Sequence, residues 1–175
     1  LADFVIIDDF EHFNIEKVYK RGVLMCENGQ LADFPAPEVD PYLVSRAHGT
    51  FHVTSLSAAD FIDNRPHAVI GMVNGEITTT DCGYTDRIDA EYDILKIAVI
   101  ERHKDTHHIG LGFIRGYGLK KGAVATSISH DSHNIIVVGT DEADMAFAAN
   151  RVVALNGGIV VAEGGSVSAE VPLAV

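Results

Sequence analysis

Hydrophobic positions along the chain occur in short runs that are separated by polar and turn-forming residues, a pattern typical of strands. The first 33 residues contain three such runs, divided by acidic residues, by Gly22 and by the pair Asn28-Gly29. An Asn-Gly pair favours the positive φ angles of a tight hairpin turn. We therefore predict closely connected strands over residues 1–33.

Prolines crowd the next stretch, at positions 35, 37 and 41. Proline lacks a backbone donor and restricts the residue before it, so neither a helix nor a central strand is expected here. The pattern predicts a linker over residues 34–44 and a second domain over residues 45–175.

Strands dominate the prediction for the second domain. Residues 68–73 and 76–80 flank Asn74-Gly75, which predicts a hairpin with a type I′ turn. The run over residues 93–101 is almost continuously apolar, as expected for a strand in the middle of a sheet. Residues 48–54 are also predicted to be extended.

Two helices are predicted in the same domain. Ser57 and Asp60 have the spacing of a capping box, which indicates a short helix through Ile62. Residues 141–155 begin with acidic side chains and repeat apolar side chains every three or four positions, which predicts an amphipathic helix. A final hairpin turns at the Gly164-Gly165 pair. The whole pattern predicts an α+β fold with a mixed, mostly antiparallel sheet and few helices.

Five glycines lie at positions 110, 112, 116, 118 and 122. Their spacing is Gly-x-Gly-x-x-x-Gly, and a strand is predicted after them. A dinucleotide-binding loop needs Gly-x-Gly-x-x-Gly followed by a helix, so that function is excluded. We expect these glycines to permit tight turns or the close approach of another backbone segment.

A polar loop is predicted between two strands, residues 124–128 and 135–138. Three interpretations of the loop remain open from the residues alone. Imidazole with carboxylate can hold a metal ion, the loop can contact a substrate or a neighbouring catalytic domain, or it can be a turn closed by its own hydrogen bonds. The remaining histidines and the segment 101–105 are interpreted as solvated surface. The loop residues are Ser129, His130, Asp131, Ser132, His133 and Asn134.

Composition narrows the classes of protein. The chain has 25 acidic and 13 basic residues and a net charge of -12, which argues against nucleic-acid and anionic-membrane partners. Its two cysteines lack a disulfide-framework spacing and fit a reducing compartment. We therefore expect a cytoplasmic protein. The chain begins at Leu1 without methionine, which we interpret as a cut within a longer protein or a processed end.

The segment 110–165, and above all Ser-His-Asp-Ser-His-Asn at 129–134, resembles the C-terminal domain of bacterial and archaeal adenine deaminases of the amidohydrolase superfamily. The segment 2–24 is similar to the strands that close the amidohydrolase β-sandwich. The resemblance implies a small β-sandwich remnant at residues 1–33, the linker at 34–44 and the adenine deaminase C-terminal domain at 45–175. The catalytic barrel is expected to be absent, because the chain lacks His-x-His and falls short of the ~250 residues of a barrel.

The resemblance also implies a function for the longer parent protein. Adenine deaminases are hydrolases of a cyclic amidine C–N bond that convert adenine and water to hypoxanthine and ammonia in purine salvage, with manganese or iron. No metal ligand and no catalytic residue are expected in this chain, while His130, Asp131 and His133 are expected to approach the barrel or the adenine. A homo-oligomer is expected. Alternatives are a non-catalytic binding or subunit-assembly module, and a free-standing protein that binds a small ligand.

Overall fold

The computed structural model describes residues 2–33 and 37–173. The chain forms two compact units, Leu1–Asp40 and Pro41–Val175. The first unit contains a four-stranded sheet and the second an eight-stranded sheet. Within the described ranges, no helix is both long and apolar enough to span a membrane.

The first unit is an antiparallel meander in which each strand pairs with the next along the chain. The turn between the last two strands has φ angles of 49° at Asn28 and 77° at Gly29, as a type I′ turn requires. The predicted strands and this turn are confirmed, while the assignment of the sheet to a β-sandwich stays a prediction. The strands are β1 (Phe4–Ile7), β2 (Ile15–Lys20), β3 (Val23–Glu27) and β4 (Gln30–Leu31).

The second unit is built on a mixed sheet with the strand order β12-β11-β9-β10-β7-β8-β5-β6. Every neighbouring pair is antiparallel except β5 with β8, so the predicted α+β class with a mostly antiparallel sheet is confirmed. The strands are β5 (His67–Met72), β6 (Thr79–Thr85), β7 (Ile94–Ile100), β8 (Ile109–Arg115), β9 (Ala123–Thr126), β10 (Ile135–Gly139), β11 (Gly158–Glu163) and β12 (Ser166–Pro172). The helices are α1 (Pro41–Ala47) and α2 (Glu142–Ala154), with a short 3-10 helix (Ala58–Phe61) between β4 and β5.

Helix α2 covers β9, β10 and β11 and forms the main core with them. Its buried face carries Met145 and Val152, at the three- and four-residue spacing that predicted the helix. Ala123 and Ala125 of β9 are fully buried beneath it, and their small side chains allow a close approach of helix and sheet. The Asp141 side chain caps the helix by accepting a hydrogen bond from the backbone amide of Asp144 at 2.9 Å.

The predicted short helix after Ser57 is present as the 3-10 helix. The Asp60 carboxylate accepts hydrogen bonds from the Ser57 amide at 2.7 Å and from the Ser57 hydroxyl at 2.9 Å. This arrangement fixes the first turn and directs the fully buried Phe61 into the core that α2 shares with the sheet.

Helix α1 corrects the prediction that residues 34–44 hold no helix. It begins at Pro41, where a missing N–H costs nothing because the first helical turn has no partner for it. The linker residues 34–36 lie outside the described ranges. Residues 48–54, predicted to be extended, belong to no sheet strand.

The β5–β6 hairpin is confirmed, but its turn is not the predicted type I′. Residues 73–78 separate the strands, so β6 begins later than predicted. Only Gly75 of the Asn74-Gly75 pair has a positive φ, at 77°, and the Glu76 amide donates to the Val73 carbonyl at 3.1 Å. A turn with one positive φ at its third residue is of type II character, which Asn-Gly also satisfies.

The glycine-rich segment contains a strand that the sequence did not predict. Strand β8 includes Gly110 and Gly112, where an added Cβ would make only ordinary van der Waals contact, whereas at Gly122 it would clash with the Ala162 carbonyl of β11. Gly116, Gly118 and Gly122 follow with positive φ angles of 93°, 82° and 76°. The prediction of tight turns and close backbone approach is therefore confirmed.

Candidate functional site

The six predicted site residues, Ser129 to Asn134, form a compact loop between the paired strands β9 and β10. The His133 amide donates to the Ser129 carbonyl at 2.7 Å, and the Ser132 amide donates to the His130 carbonyl at 3.0 Å. The hydroxyls of Ser129 and Ser132 are 3.0 Å apart. Asp131 and His133 have φ angles of 65° and 50°, which residues other than glycine rarely adopt. The loop therefore has a defined shape that its own hydrogen bonds maintain.

The loop side chains lie in different surroundings. His130 and Asp131 project into solvent, with side-chain exposures of 97% and 92%, and His130 Nδ1 lies 3.0 Å from Asp131 Oδ1. Ser129 is buried. Asn134 Oδ1 is also buried and accepts no hydrogen bond from a described residue. The six residues therefore lie together in one loop, but their side chains do not converge on a common point.

Two residues outside the predicted set hold the loop. Strand β7 pairs with β10, with Ile100 opposite Ile135, so the residues after β7 lie beside the end of the loop. Arg102 Nε donates a hydrogen bond to the His133 carbonyl. His103 Nε2 lies 2.9 Å from the Ser132 carbonyl, an acceptor, so this ring nitrogen is the donor.

Arg102 is 7% exposed, in contrast to the prediction that the segment 101–105 is solvated surface. Its guanidinium carbon lies 4.1 Å from the centre of the Phe51 ring, and its Nη1 donates to Thr50 Oγ1 at 3.0 Å. Burial lowers the pKa of Arg102, but a guanidinium remains charged at neutral pH. The prediction was wrong for Arg102 because the alternation of β7 extends past its end. Ala98, Ile100 and Arg102 are all buried on one face.

Glu101 fixes the turn that follows β7. Burial opposes its ionisation, but hydrogen bonds from the backbone amides of His103, Thr106 and Lys104 and from the Thr106 hydroxyl outweigh burial and lower the pKa to about 2. Glu101 is therefore ionised at neutral pH. Through these hydrogen bonds the Glu101 carboxylate fixes the backbone of the turn, including the backbone position of His103.

A cavity of about 580 Å³ lies beside the loop. His133 contributes to its wall, together with the two residues that hold the loop, and Ile128 adds an apolar surface. This is the place in the second unit where the predicted loop faces a space large enough for a small molecule. The lining includes Thr50, Arg102, His103, Ser127, Ile128 and His133.

The donor set of the loop does not fit a divalent metal ion. Among residues 2–33 and 37–173, no group of three or more His, Cys, Asp or Glu side chains is arranged to hold one. The imidazole of His130 and the carboxylate of Asp131 face each other at the surface. A structural metal site normally needs about four ligands and a catalytic site at least three.

Comparison with known proteins identifies the class. The family model for the adenine deaminase C-terminal domain matches residues 73–175, which include the loop and its cavity-facing histidine. The chain belongs to this family.

Relatives that match nearly the whole of this chain are also adenine deaminases. An adenine deaminase of Dehalococcoides mccartyi is 38% identical over 100% of this chain and 32% of its own length. Adenine deaminases of Kosmotoga olearia and Petrotoga mobilis are 38% and 41% identical over 98% and 92% of this chain, and over 31% and 30% of theirs. The chain spans about a third of the length of these curated relatives and corresponds to a C-terminal portion of them.

Proposed function

We propose that this chain is the C-terminal portion of an adenine deaminase, which converts adenine and water to hypoxanthine and ammonia. In this proposal the second unit is the domain 45–175 that the sequence predicts, and the loop Ser129–Asn134 faces the catalytic portion. The observation that carries the proposal is the shaped polar loop beside a cavity, inside the segment that matches the adenine deaminase family.

The parent would require a divalent metal, manganese or iron, to generate hydroxide from water at neutral pH. Because the donors of residues 2–33 and 37–173 do not fit such an ion, we assign the metal to the rest of the parent. The contribution of this chain is then to shape and close the space around adenine. His133, on the cavity wall, is the residue of the loop best placed to contact a ligand.

The isolated 175-residue chain should not deaminate adenine in the presence of Mn²⁺. The reason is that its loop offers hydrogen-bonding groups but no three-ligand set that would hold the metal ion. Ammonia release and the loss of adenine absorbance measure the reaction, with the full-length protein as positive control. Turnover by chromatographically pure chain, at a rate proportional to its concentration, would contradict the proposal.

Alanine at His133 in the full-length protein should lower kcat/KM for adenine by about tenfold, the worth of one lost hydrogen bond to a ligand. Alanine at His130 should have a smaller effect, because its side chain is solvent-exposed and already paired with Asp131. His108→Ala is the matched control, an exposed histidine outside the cavity wall. If the His133 and His108 variants keep the same kcat and KM, the His133 side chain has no role in turnover.

The second candidate function is a module for subunit assembly without a role at the active site. It is favoured by the apolar side chains on β12, an edge strand of the larger sheet, where Val167 and Val171 are 38% and 54% exposed. A homo-oligomer in the cytoplasm, without nucleic-acid or membrane partners, is our proposal in either case. Purine salvage is the corresponding proposal for the parent's role.

A further inference from the structure

We infer that Arg102 and His103 are positioning residues that hold the Ser129–Asn134 loop in the shape needed for adenine turnover. The inference rests on the proposed function of the loop and adds two residues to it that do not belong to the loop. Its basis is a pair of adjacent donors that bind a pair of adjacent carbonyls.

The two donors come from consecutive residues after β7, and the two acceptors are consecutive residues before β10. Arg102 binds the His133 carbonyl and His103 binds the Ser132 carbonyl. The pairing of β7 with β10 sets this alignment, because Ile100 and Ile135 are opposite each other. The loop is therefore held from the neighbouring strand as well as by its internal hydrogen bonds.

The side chain of Arg102 is itself fixed. It lies against the Phe51 ring, it donates to Thr50 and it is buried, so other rotamers would break several contacts at once. His103 is exposed, but its backbone amide donates to Glu101 at 2.6 Å, which fixes the origin of its side chain. Because the Arg102 guanidinium is buried and planar, it can fix both the direction and the length of its hydrogen bond to the His133 carbonyl.

The held carbonyl belongs to the residue that faces the cavity. His133 has a φ of 50°, a conformation that L-residues adopt only where surrounding contacts maintain it. Without the Arg102 hydrogen bond, the backbone at His133 is free to relax, which would move this residue away from the cavity wall. Neither Arg102 nor His103 needs to touch the substrate for this effect.

The first test measures the loop and needs no activity. Arg102→Lys keeps the charge but cannot place one donor on the His133 carbonyl and another on Thr50 with the geometry of a guanidinium. Amide hydrogen exchange of the 175-residue chain should show the His133 and Ser132 amides exchanging at least tenfold faster. Arg65→Lys, at an exposed arginine paired with Asp63, is the matched control and should leave their exchange unchanged.

His103 supplies a second variant pair that does not disturb the core. His103→Ala should accelerate exchange of the same amides, while His103→Gln, whose side-chain amide can still donate to the Ser132 carbonyl, should restore part of the protection. If neither the Arg102 nor the His103 variants change the exchange of the loop amides, the inference is overturned.

Kinetics of the full-length protein complete the test. A positioning role predicts a fall in kcat of about tenfold for Arg102→Lys, a smaller change in KM, and recovery in His103→Gln relative to His103→Ala. Faster amide exchange together with unchanged kinetics would show that Arg102 and His103 hold the loop, but that this restraint does not matter for turnover. That result would overturn the positioning role in turnover, whereas a failure of the unmodified full-length protein to deaminate adenine would overturn the proposed function.

Discussion

Gly122→Ala should destabilise the second unit by about 2 to 5 kcal/mol, the largest loss we expect from a single methyl group in the glycine-rich segment. Gly122 has a φ of 76°, and a Cβ there would lie 2.1 Å from the Ala162 carbonyl oxygen. The left-handed conformation costs an L-residue about 1–2 kcal/mol. Overpacking typically adds about 1–3 kcal/mol, and here the obstacle is backbone of β11, which is paired on both sides.

Gly118→Ala separates these two contributions. Gly118 has a similar φ of 82°, but no atom lies within 4 Å of its ideal Cβ position. The expected loss is therefore about 1–2 kcal/mol, from backbone conformation alone. Urea denaturation of the 175-residue chain, followed by circular dichroism, measures both variants. Equal losses for the two would show that β11 moves aside and that the close approach is not a constraint.

Phe61→Ala should cost about 3–5 kcal/mol, the range observed when a buried aromatic ring is removed from a core. Phe61 is 0% exposed and belongs to the core that α2 shares with the sheet. It also ends the 3-10 helix, so its removal loosens the attachment of that helix to α2 as well as leaving a cavity. The midpoint of urea denaturation is the measurement, with the slope checked for two-state behaviour.

The neighbouring residue supplies the control for Phe61. Ile62 is 57% exposed, and its replacement by alanine should change the free energy of unfolding by no more than about 0.5 kcal/mol. Phe61→Leu keeps part of the buried volume, so its loss of unfolding free energy should lie between those of Phe61→Ala and Ile62→Ala. A loss at Ile62 as large as that at Phe61 would mean that the 3-10 helix is packed differently from the structure described.

Most of the fold follows from local patterns in the sequence. The three- and four-residue spacing of α2, the continuous apolar run of β7 and the Asn28-Gly29 turn each predict the element that is present. The errors arise where one residue type serves two structures. Pro41 breaks a helix in its interior but is favourable at its first turn, and the glycines of β8 resemble a loop although they lie in a strand.

The candidate site was only half predictable. The loop is predictable because six polar residues between apolar strands are conspicuous in sequence, whereas the sequence predicts a surface position for Arg102 and His103. Their role depends on β7 pairing with β10, a long-range contact that no local pattern reveals. The available signal was the two-residue alternation of buried side chains that continues through Arg102.

The position of the histidine-bearing hairpin within the strand order has a mechanical consequence. Thermal fraying starts at strands with a single neighbour, here β6 and β12, and progresses inward. Strands β11 and β12 shield β9 on one side, and β7, β8, β5 and β6 shield β10 on the other. Either edge of the sheet can thus loosen or accept insertions during evolution while the β9–β10 hairpin, which carries His133 in its loop, stays paired on both sides.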